Sequence, residues 1–314
     1  MAAEAHSPDP GRLFDRLRVA LGTDAVQANE PLARYTALRI GGPADLFASV
    51  VSVQALRQAV ELAWECQVPC HVLGGGSNVL VSDAGVRGLV VLNRARAVTF
   101  GDLWVRAESG ASFSTLARRC VARGLAGLEW AASIPGTVGG AVIGNAGAWG
   151  GDVASTLVRA TILAPGGGAV DWPVDRFGYG YRTSVLKRQS LGSTPRAIVL
   201  AAEFALQAGD RGALDGKVAD IAARRKASQP PGATCGSVFK NPAADYAGRL
   251  VEAAGLKGKC RGGAEISNVH ANFVVNHGQA TATDVKALID EACLAVQAQF
   301  GISLELEIEL MGAW

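Results

Sequence analysis

Ser237 stands in the stretch GATCGSVFKNP, residues 232–242, after a glycine and before a short apolar pair, with Lys240, Asn241 and Pro242 close behind. A serine so placed could be a nucleophile, an anion ligand, a proton donor or a turn residue. The G-x-S-x-G nucleophile elbow is not met, because position 235 is Cys and position 239 is Phe. No histidine lies close in sequence to serve as a base. His71, His270 and His277 are scattered along the chain and His6 sits near its start, and an isolated histidine is more often structural than catalytic. A second candidate is GGGSN, residues 74–78. Successive backbone N–H groups without Cβ obstruction can form a concave anion nest, to which Ser77 and Asn78 add side-chain donors. A plain tight turn fits the same five residues equally well. A third is SLELEIEL, residues 303–310, whose strict alternation reads as a strand with Glu305, Glu307 and Glu309 on one face. On pattern alone that face is solvated. Neither G-x-x-x-x-G-K-[ST] nor G-x-G-x-x-G occurs, so any phosphate must be held by another device.

These residues need a scaffold, and the periodicities outline one. After an N-terminal tail read as mobile, DLFASVVS (45–52) predicts a strand and VQALRQAVELAW (53–64) a helix with Val53, Leu56, Val60 and Ala63 on one face. HVL, GGGSN and GLVVLN (88–93) follow as strand, loop and strand of a small α/β layer. SFSTLARRCVARG (112–124) repeats helical spacing and leads into GLEWAASIPGTVGGAVIGNAGAWGG (127–151). Glycine tolerates positive φ and lets backbone approach a ligand, so this second glycine cluster suggests a binding wall, where a linker would be more polar. VRATILAPGGGAVDWP predicts a hairpin, RAIVLAAEFAL a buried strand, and KVADIAARRKASQPPG a helix ending in a proline-rich hinge near 229–232. Beyond it lie a helix in YAGRLVEAAG, a strand in ANFVVN and a long amphipathic helix over 283–300.

Composition narrows the class. Three hundred and fourteen residues exceed a usual single domain and predict two or three. Apolar residues at 49% and charged residues at 18% indicate an ordered globular chain, and the 39 glycines are in excess and clustered. A net charge of +2 with interspersed signs argues against nucleic acid as partner, while a small anionic substrate fits. With no basic start followed by an apolar run and no stretch of ~18 apolar residues, neither export nor a membrane span is expected, and a cytoplasmic location is. The six cysteines lack zinc spacing and read as free thiols, with no metal site.

The blocks YTALRIGGPADLF, VLGGGSNVLVSDAGVRGLVV, GLEWAASIPGTVGGAVIGNAGAWG, YGYRTSVLK, GSVFKNP, AEISNVHANFVVN and LELEIELMG occur in one order from about residue 31 to 312. Together they resemble the UDP-N-acetylenolpyruvoylglucosamine reductase family of peptidoglycan synthesis. The resemblance implies an α+β FAD-binding fold of the vanillyl-alcohol-oxidase/PCMH-like superfamily in two subdomains, plus a smaller α/β substrate domain. On that pattern residues 1–94, rejoined by 302–314, form the N-terminal FAD-binding subdomain, 95–228 the second, and 229–301 the UDP-sugar domain. The quick passage from YGYRTSVLK into RAIVLAAEF resembles the shorter, type II form of the family.

The resemblance further implies noncovalent FAD, with NADPH as hydride donor, and reduction of an enolpyruvyl ether on a UDP-sugar. The flavin-binding blocks fall on Gly74, Gly75, Gly76, Ser77 and Asn78 and on Ile134, Gly139, Gly140, Asn145 and Gly147. Arg182 matches the catalytic arginine, whose fixed guanidinium fork suits a carboxylate gaining charge. Ser237 matches the proton donor and Glu307 the last catalytic residue. Tyr181, Lys240 and Asn241 match positions near the substrate, Asn241 also reading as a turn residue before Pro242. The chain departs from the family in having Leu306 where proline is usual and Cys235 where alanine is common, a thiol that could be redox-sensitive or merely packed. Another FAD-dependent oxidase or dehydrogenase of the same superfamily, often with covalent flavin, is the alternative, and a colourless nucleotide-sugar binding protein a third class.

Overall fold

The computed structural model describes residues 8–189 and 196–314. The chain divides into two compact units: residues 1–30, 44–74 and 87–221 form one, and residues 31–43, 75–86 and 222–314 the other.

In the first unit, helix α1 (Pro10–Leu21) begins with Asp9 accepting from Arg12 N and buries Leu13 and Leu17. A strand at Val26–Pro31 follows, so residues 10–31 are ordered elements and not the tail expected from sequence. The polar surface of α1 hid a two-leucine stripe that suffices once α2 packs on it. Helix α2 (Val53–Glu65) is capped by Ser52, whose hydroxyl accepts from Ala55 N at 3.1 Å, and buries Leu56, Ala59, Val60 and Ala63. These helices share a core with a four-stranded sheet in the order 26–31, 43–50, 86–93, 70–73, whose last pair is parallel.

A second, five-stranded antiparallel sheet runs in the order 168–173, 157–164, 198–205, 104–108, 98–100, with the expected hairpin as its first pair. Against it pack α3 (Phe113–Val121), capped by Ser112, and α4 (Val138–Gly144), which forms inside the second glycine cluster. Phe113 meets Phe204 and Trp130 at centroid distances of 5.9 and 5.6 Å in this core. The short helix α5 (Val185–Gln189) follows the YGYRTS block, and the connection used to read the family's shorter form includes residues 190–195, outside the described residues. Helix α6 (Arg211–Ser228) contains the boundary between the units.

The second unit holds an antiparallel sheet in the order 233–237, 273–276, 264–266, 260–261, covered by α7 (Ala247–Ala253) and α8 (Ala282–Phe300). Thr281 and Asp284 make a capping box at the start of α8, and Gly301, at φ 69°, closes its end. The SLELEIEL segment differs from the single strand expected. Leu306 bridges Phe239, after which Glu309–Met311 pairs in parallel with Val79–Val81. The alternation specified extended backbone, but the segment changes partner midway, so no one neighbour pairs with all of it. No described helix is long and apolar enough to cross a membrane.

Candidate active site

In the first unit the glycines of the second cluster do two different jobs. Gly139 N donates to Ser109 O at 2.8 Å, and an added Cβ would stand 3.0 Å from Ser109 Cβ, so this glycine lets α4 lie close on the neighbouring chain. Gly74 similarly abuts Thr137, the residue before α4, whose hydroxyl a Cβ at 74 would strike. Gly147 is a buried residue of the 147–152 hairpin, with Gly151 O and Asp152 Cβ each 2.8 Å from its missing Cβ. Gly140 and Gly144 are unlike these. A Cβ at 140 would have only Thr137 Oγ1 near it, at 3.8 Å, and one at 144 would meet nothing within 4 Å. Four residues apart, they share a helix face that carries no side chain although there is room for one. Ile134, partly buried, packs against the core of this unit.

Tyr181 and Arg182 are the two central residues of a tight turn closed by Gly180 N to Thr183 O at 3.2 Å and Thr183 N to Gly180 O at 3.3 Å. Arg182 has φ 55°, a left-handed conformation that costs a non-glycine residue ~1–3 kcal/mol and that the surrounding structure must enforce. Its Nη2 donates to Gly147 O, and its guanidinium carbon lies 5.3 Å from the Tyr181 ring centroid. Asn145, 4% exposed and also left-handed at φ 45°, directs its amide at Gly180 O and Asp152.

In the second unit the loop 75–78 lies with the Ser237 and Glu307 segments, two of the three proposed catalytic positions, while Arg182 belongs to the first unit. Gly76 has φ 59°, and a Cβ there would run into Tyr35 O; Ala37 N donates back to Gly76 O at 2.9 Å. Thus Tyr35 and Ala37, in a block to which sequence reasoning gave no role, shape the loop. Asn78 Nδ2 donates to Glu307 O at 3.1 Å, and Glu309 N to Asn78 O at 2.9 Å. Glu307 N in turn donates to Val238 O at 2.8 Å, the residue after Ser237. Gly236, at φ 82°, has only Ser77 O near its missing Cβ, at 4.0 Å. One continuous backbone network therefore joins the glycine-serine loop, the Ser237 strand and the Glu307 segment.

Lys240 Nζ lies 3.1 Å from Glu305 Oε2, and Lys240 N donates to Glu305 O at 2.8 Å. The Glu305 side chain is 75% exposed, so the ion pair contributes little, ~0–1 kcal/mol, and is readily given up to another anion. Glu305 is exposed whereas Glu307 and Glu309 are both half-buried, so burial sets Glu305 apart from the other two glutamates that alternation left equivalent. Asn241 Oδ1 accepts from Ala247 N at 3.1 Å at the start of α7, a structural contact for a residue assigned to substrate. Leu306 is held through its neighbours, Glu305 O and Glu307 N, so the usual proline there would cost no hydrogen bond of this network.

The other candidates take structural places. Burial pushes the Cys235 thiol up to about 12 and it is 1% exposed, so packing accounts for it and redox sensitivity does not. His277 pairs with Glu265 at 2.6 Å, His270 packs edge-on to Phe273, and burial, with Arg196 adding, lowers His71 to about 4. His6 lies outside the described residues. Among the described residues no group of three or more His, Cys, Asp or Glu could hold a metal.

Comparison with known proteins places this architecture among flavin-binding α+β proteins: the FAD binding domain family matches residues 44–172. The family described as UDP-N-acetylenolpyruvoylglucosamine reductase, C-terminal domain, matches residues 228–311. The UDP-N-acetylenolpyruvoylglucosamine reductase of Chloroflexus aggregans is 44% identical over 292 residues, 91% of this chain and 97% of the relative. UDP-N-acetylenolpyruvoylglucosamine reductase 2 of Symbiobacterium thermophilum is 45% identical over 307 residues, 96% of this chain and 97% of the relative. The crystal structure of UDP-N-acetylenolpyruvylglucosamine reductase (MurB) from Thermus caldophilus is 34% identical with a TM-score of 0.76, over 91% of this chain and 98% of that one. The chain belongs to the UDP-N-acetylenolpyruvoylglucosamine reductase family.

The residues present fit FAD. The face of Gly140 and Gly144 is open where alanine would have been the better helix residue, and exposed backbone is what a planar ligand can lie against. Ser77 and the exposed Gly75 and Asn78 stand on a loop whose sharp turn is fixed by Gly76.

Proposed function

We propose that this chain reduces UDP-N-acetylglucosamine enolpyruvate to UDP-N-acetylmuramate with electrons from NADPH, as a cytoplasmic enzyme of peptidoglycan synthesis of the family's shorter type. The observation that carries the mechanism is the network in the second unit that joins Val238, the residue next to Ser237, to Glu307 and through it to Asn78 of the glycine-serine loop. FAD, when bound, supplies the ring that accepts and delivers the hydride.

Ser237, Arg182 and Glu307 are the catalytic residues of this reading. Hydride addition to the enolpyruvyl methylene leaves negative charge on the carbon beside the carboxylate, so the chain must stabilise that charge and deliver a proton. Arg182 holds the carboxylate as its charge grows. Ser237 Oγ gives its proton to the carbanion, a far stronger base than the serine alkoxide this leaves, and Lys240, released from its weak pair with Glu305, steadies that charge. Glu307 stands on the same network and orients the reacting end of the substrate. Tyr181 and Asn241 border the UDP-sugar. Gly74 through Asn78 hold the pyrophosphate, while Ile134, Gly139, Gly140 and Gly147 form the second wall. Residues 1–94 with 302–314, residues 95–228 and residues 229–301 divide the work as two cofactor-binding parts and one substrate-binding part. No nucleic acid or membrane partner enters this reading.

Ser237→Ala tests it. Stopped-flow absorbance should show NADPH reducing the flavin at nearly the parent rate, and reoxidation by the enolpyruvyl substrate slower by ~10²-fold or more, the usual loss with a general acid. Equal slowing of both half-reactions would refute the assignment and make Ser237 structural.

A further inference from the structure

The turn that carries Arg182 is fastened to the C-terminal end of α4. The last carbonyls of a helix have no partner within it and need donors from elsewhere. Here Tyr179 Oη donates to Val142 O at 2.8 Å and Ser184 Oγ to Ile143 O at 2.6 Å. These two donors flank the Gly180–Thr183 turn, one residue outside it on each side. Burial raises the Tyr179 phenol far above its ordinary range, so it remains a neutral donor. Ser184 is 0% exposed and also accepts from Lys187 N at 3.1 Å.

Asn145 completes the attachment from the other side. Its Nδ2 donates to Gly180 O at 3.1 Å and to Asp152 Oδ2 at 3.3 Å, and its Oδ1 accepts from Ala154 N at 3.0 Å. Both N–H groups of the amide are therefore engaged within the protein, which leaves neither for a cofactor. The backbone at φ 45° and ψ 57° would suit glycine at least as well. The side chain thus serves the three hydrogen bonds and not the helix end alone.

We infer that Asn145 is a positioning residue for Arg182: its buried amide grips the carbonyl that opens the turn and so holds the guanidinium in its working place, without touching the flavin. The inference deepens the proposed mechanism and rests on the role given there to Arg182. It also ties the Arg182 turn to α4, so the helix whose bare face fits the cofactor is the element that aims the guanidinium.

Asn145→Gly is the cleanest probe, since it deletes the amide and keeps a residue suited to the left-handed backbone. In the holoenzyme, bound-flavin content and the rate of flavin reduction by NADPH should be unchanged. Reoxidation by UDP-N-acetylglucosamine enolpyruvate should slow by ~10–100-fold, the scale of a misplaced catalytic group. In an Arg182→Ala background the same substitution should have little further effect, because a residue acting through Arg182 has nothing left to position. Loss of flavin from Asn145→Gly, unchanged reoxidation, or additive effects in the double variant would each overturn the inference. Ser184→Ala, which releases the other end of the turn, must then show the same half-reaction split, with Ser184→Thr restoring it; failure of that pair overturns it as well. If Arg182→Ala alone leaves reoxidation fast, the catalytic reading of Arg182 falls first, and the positioning role falls with it.

Discussion

Alanine at position 140 should move apo stability and flavin affinity in opposite directions. Gly140 lies within α4 with ordinary helical backbone, and its missing Cβ points where the nearest atom, Thr137 Oγ1, is 3.8 Å away. Glycine inside a helix is ~0.5–1 kcal/mol less favourable than alanine. With no clash to offset that gain, Gly140→Ala should stabilise the apoprotein by about that amount, or ~1–4 °C in Tm for a unit of this size. If the bare face is where FAD lies, the same methyl intrudes on a fitted surface, and overpacking of that kind costs ~1–3 kcal/mol. Binding should then weaken roughly 5- to 150-fold.

Thermal unfolding of flavin-free protein and titration of FAD by fluorescence quenching measure the two arms. Gly216→Ala is the control: position 216 lies inside α6 and has nothing within 4 Å of its missing Cβ, so it should raise Tm alike and leave FAD affinity alone. A Gly140→Ala protein with raised Tm and unchanged affinity would refute the placement of the cofactor on α4. A lowered Tm would refute the reading of an open helix face.

Two further outcomes concern stability. His71 titrates near 4 in the folded chain against an ordinary 6.5, chiefly through burial, so between those values the unfolded chain binds more protons. Stability should fall as pH drops from 6.5 towards 4, by at most about 3 kcal/mol from this residue, and His71→Gln should flatten that slope in urea titrations across the window. Asp83 accepts from Ala282 N, Thr283 N and Thr283 Oγ1 at 2.8, 2.9 and 2.8 Å; burial opposes its ionisation, but these bonds prevail and hold its carboxyl below the usual range. Its contribution is present above the ordinary aspartate pKa and disappears in acid. Asp83→Ala should destabilise the protein by ~1–3 kcal/mol at neutral pH, and a urea midpoint unchanged from the parent would count against the tie to α8.

Regular periodicity made most elements legible in the sequence: α2, α3, α8 and the 157–173 hairpin stand where their apolar spacing put them. The N-terminal helix was missed because two buried leucines in a polar segment make too weak a stripe. The pairing of SLELEIEL was missed because alternation fixes which side chains share a face and says nothing of which strand lies alongside. Glycine clusters were visible, but their division of labour was not. Gly139 and Gly74 answer to Ser109 and Thr137, residues remote in sequence, whereas Gly140 and Gly144 answer to open space, which no local pattern encodes.

The same limit explains Asn145, and there it bears on mechanism. A motif reports that an asparagine belongs at a helix end; it cannot say whether the amide faces a ligand or the protein. Three hydrogen bonds decide that it faces the protein, and one of them ends on the turn bearing Arg182. A glycine-rich block met as a binding wall thus has two sides. One face of α4 is bare for a ligand, and its C-terminal end, through carbonyls of Val142 and Ile143 and the amide of Asn145, is the mount for the guanidinium. On the proposed mechanism, binding and charge stabilisation would share one short helix because the backbone at its end must be satisfied by some donor, and here the donors come from the segment that carries Arg182.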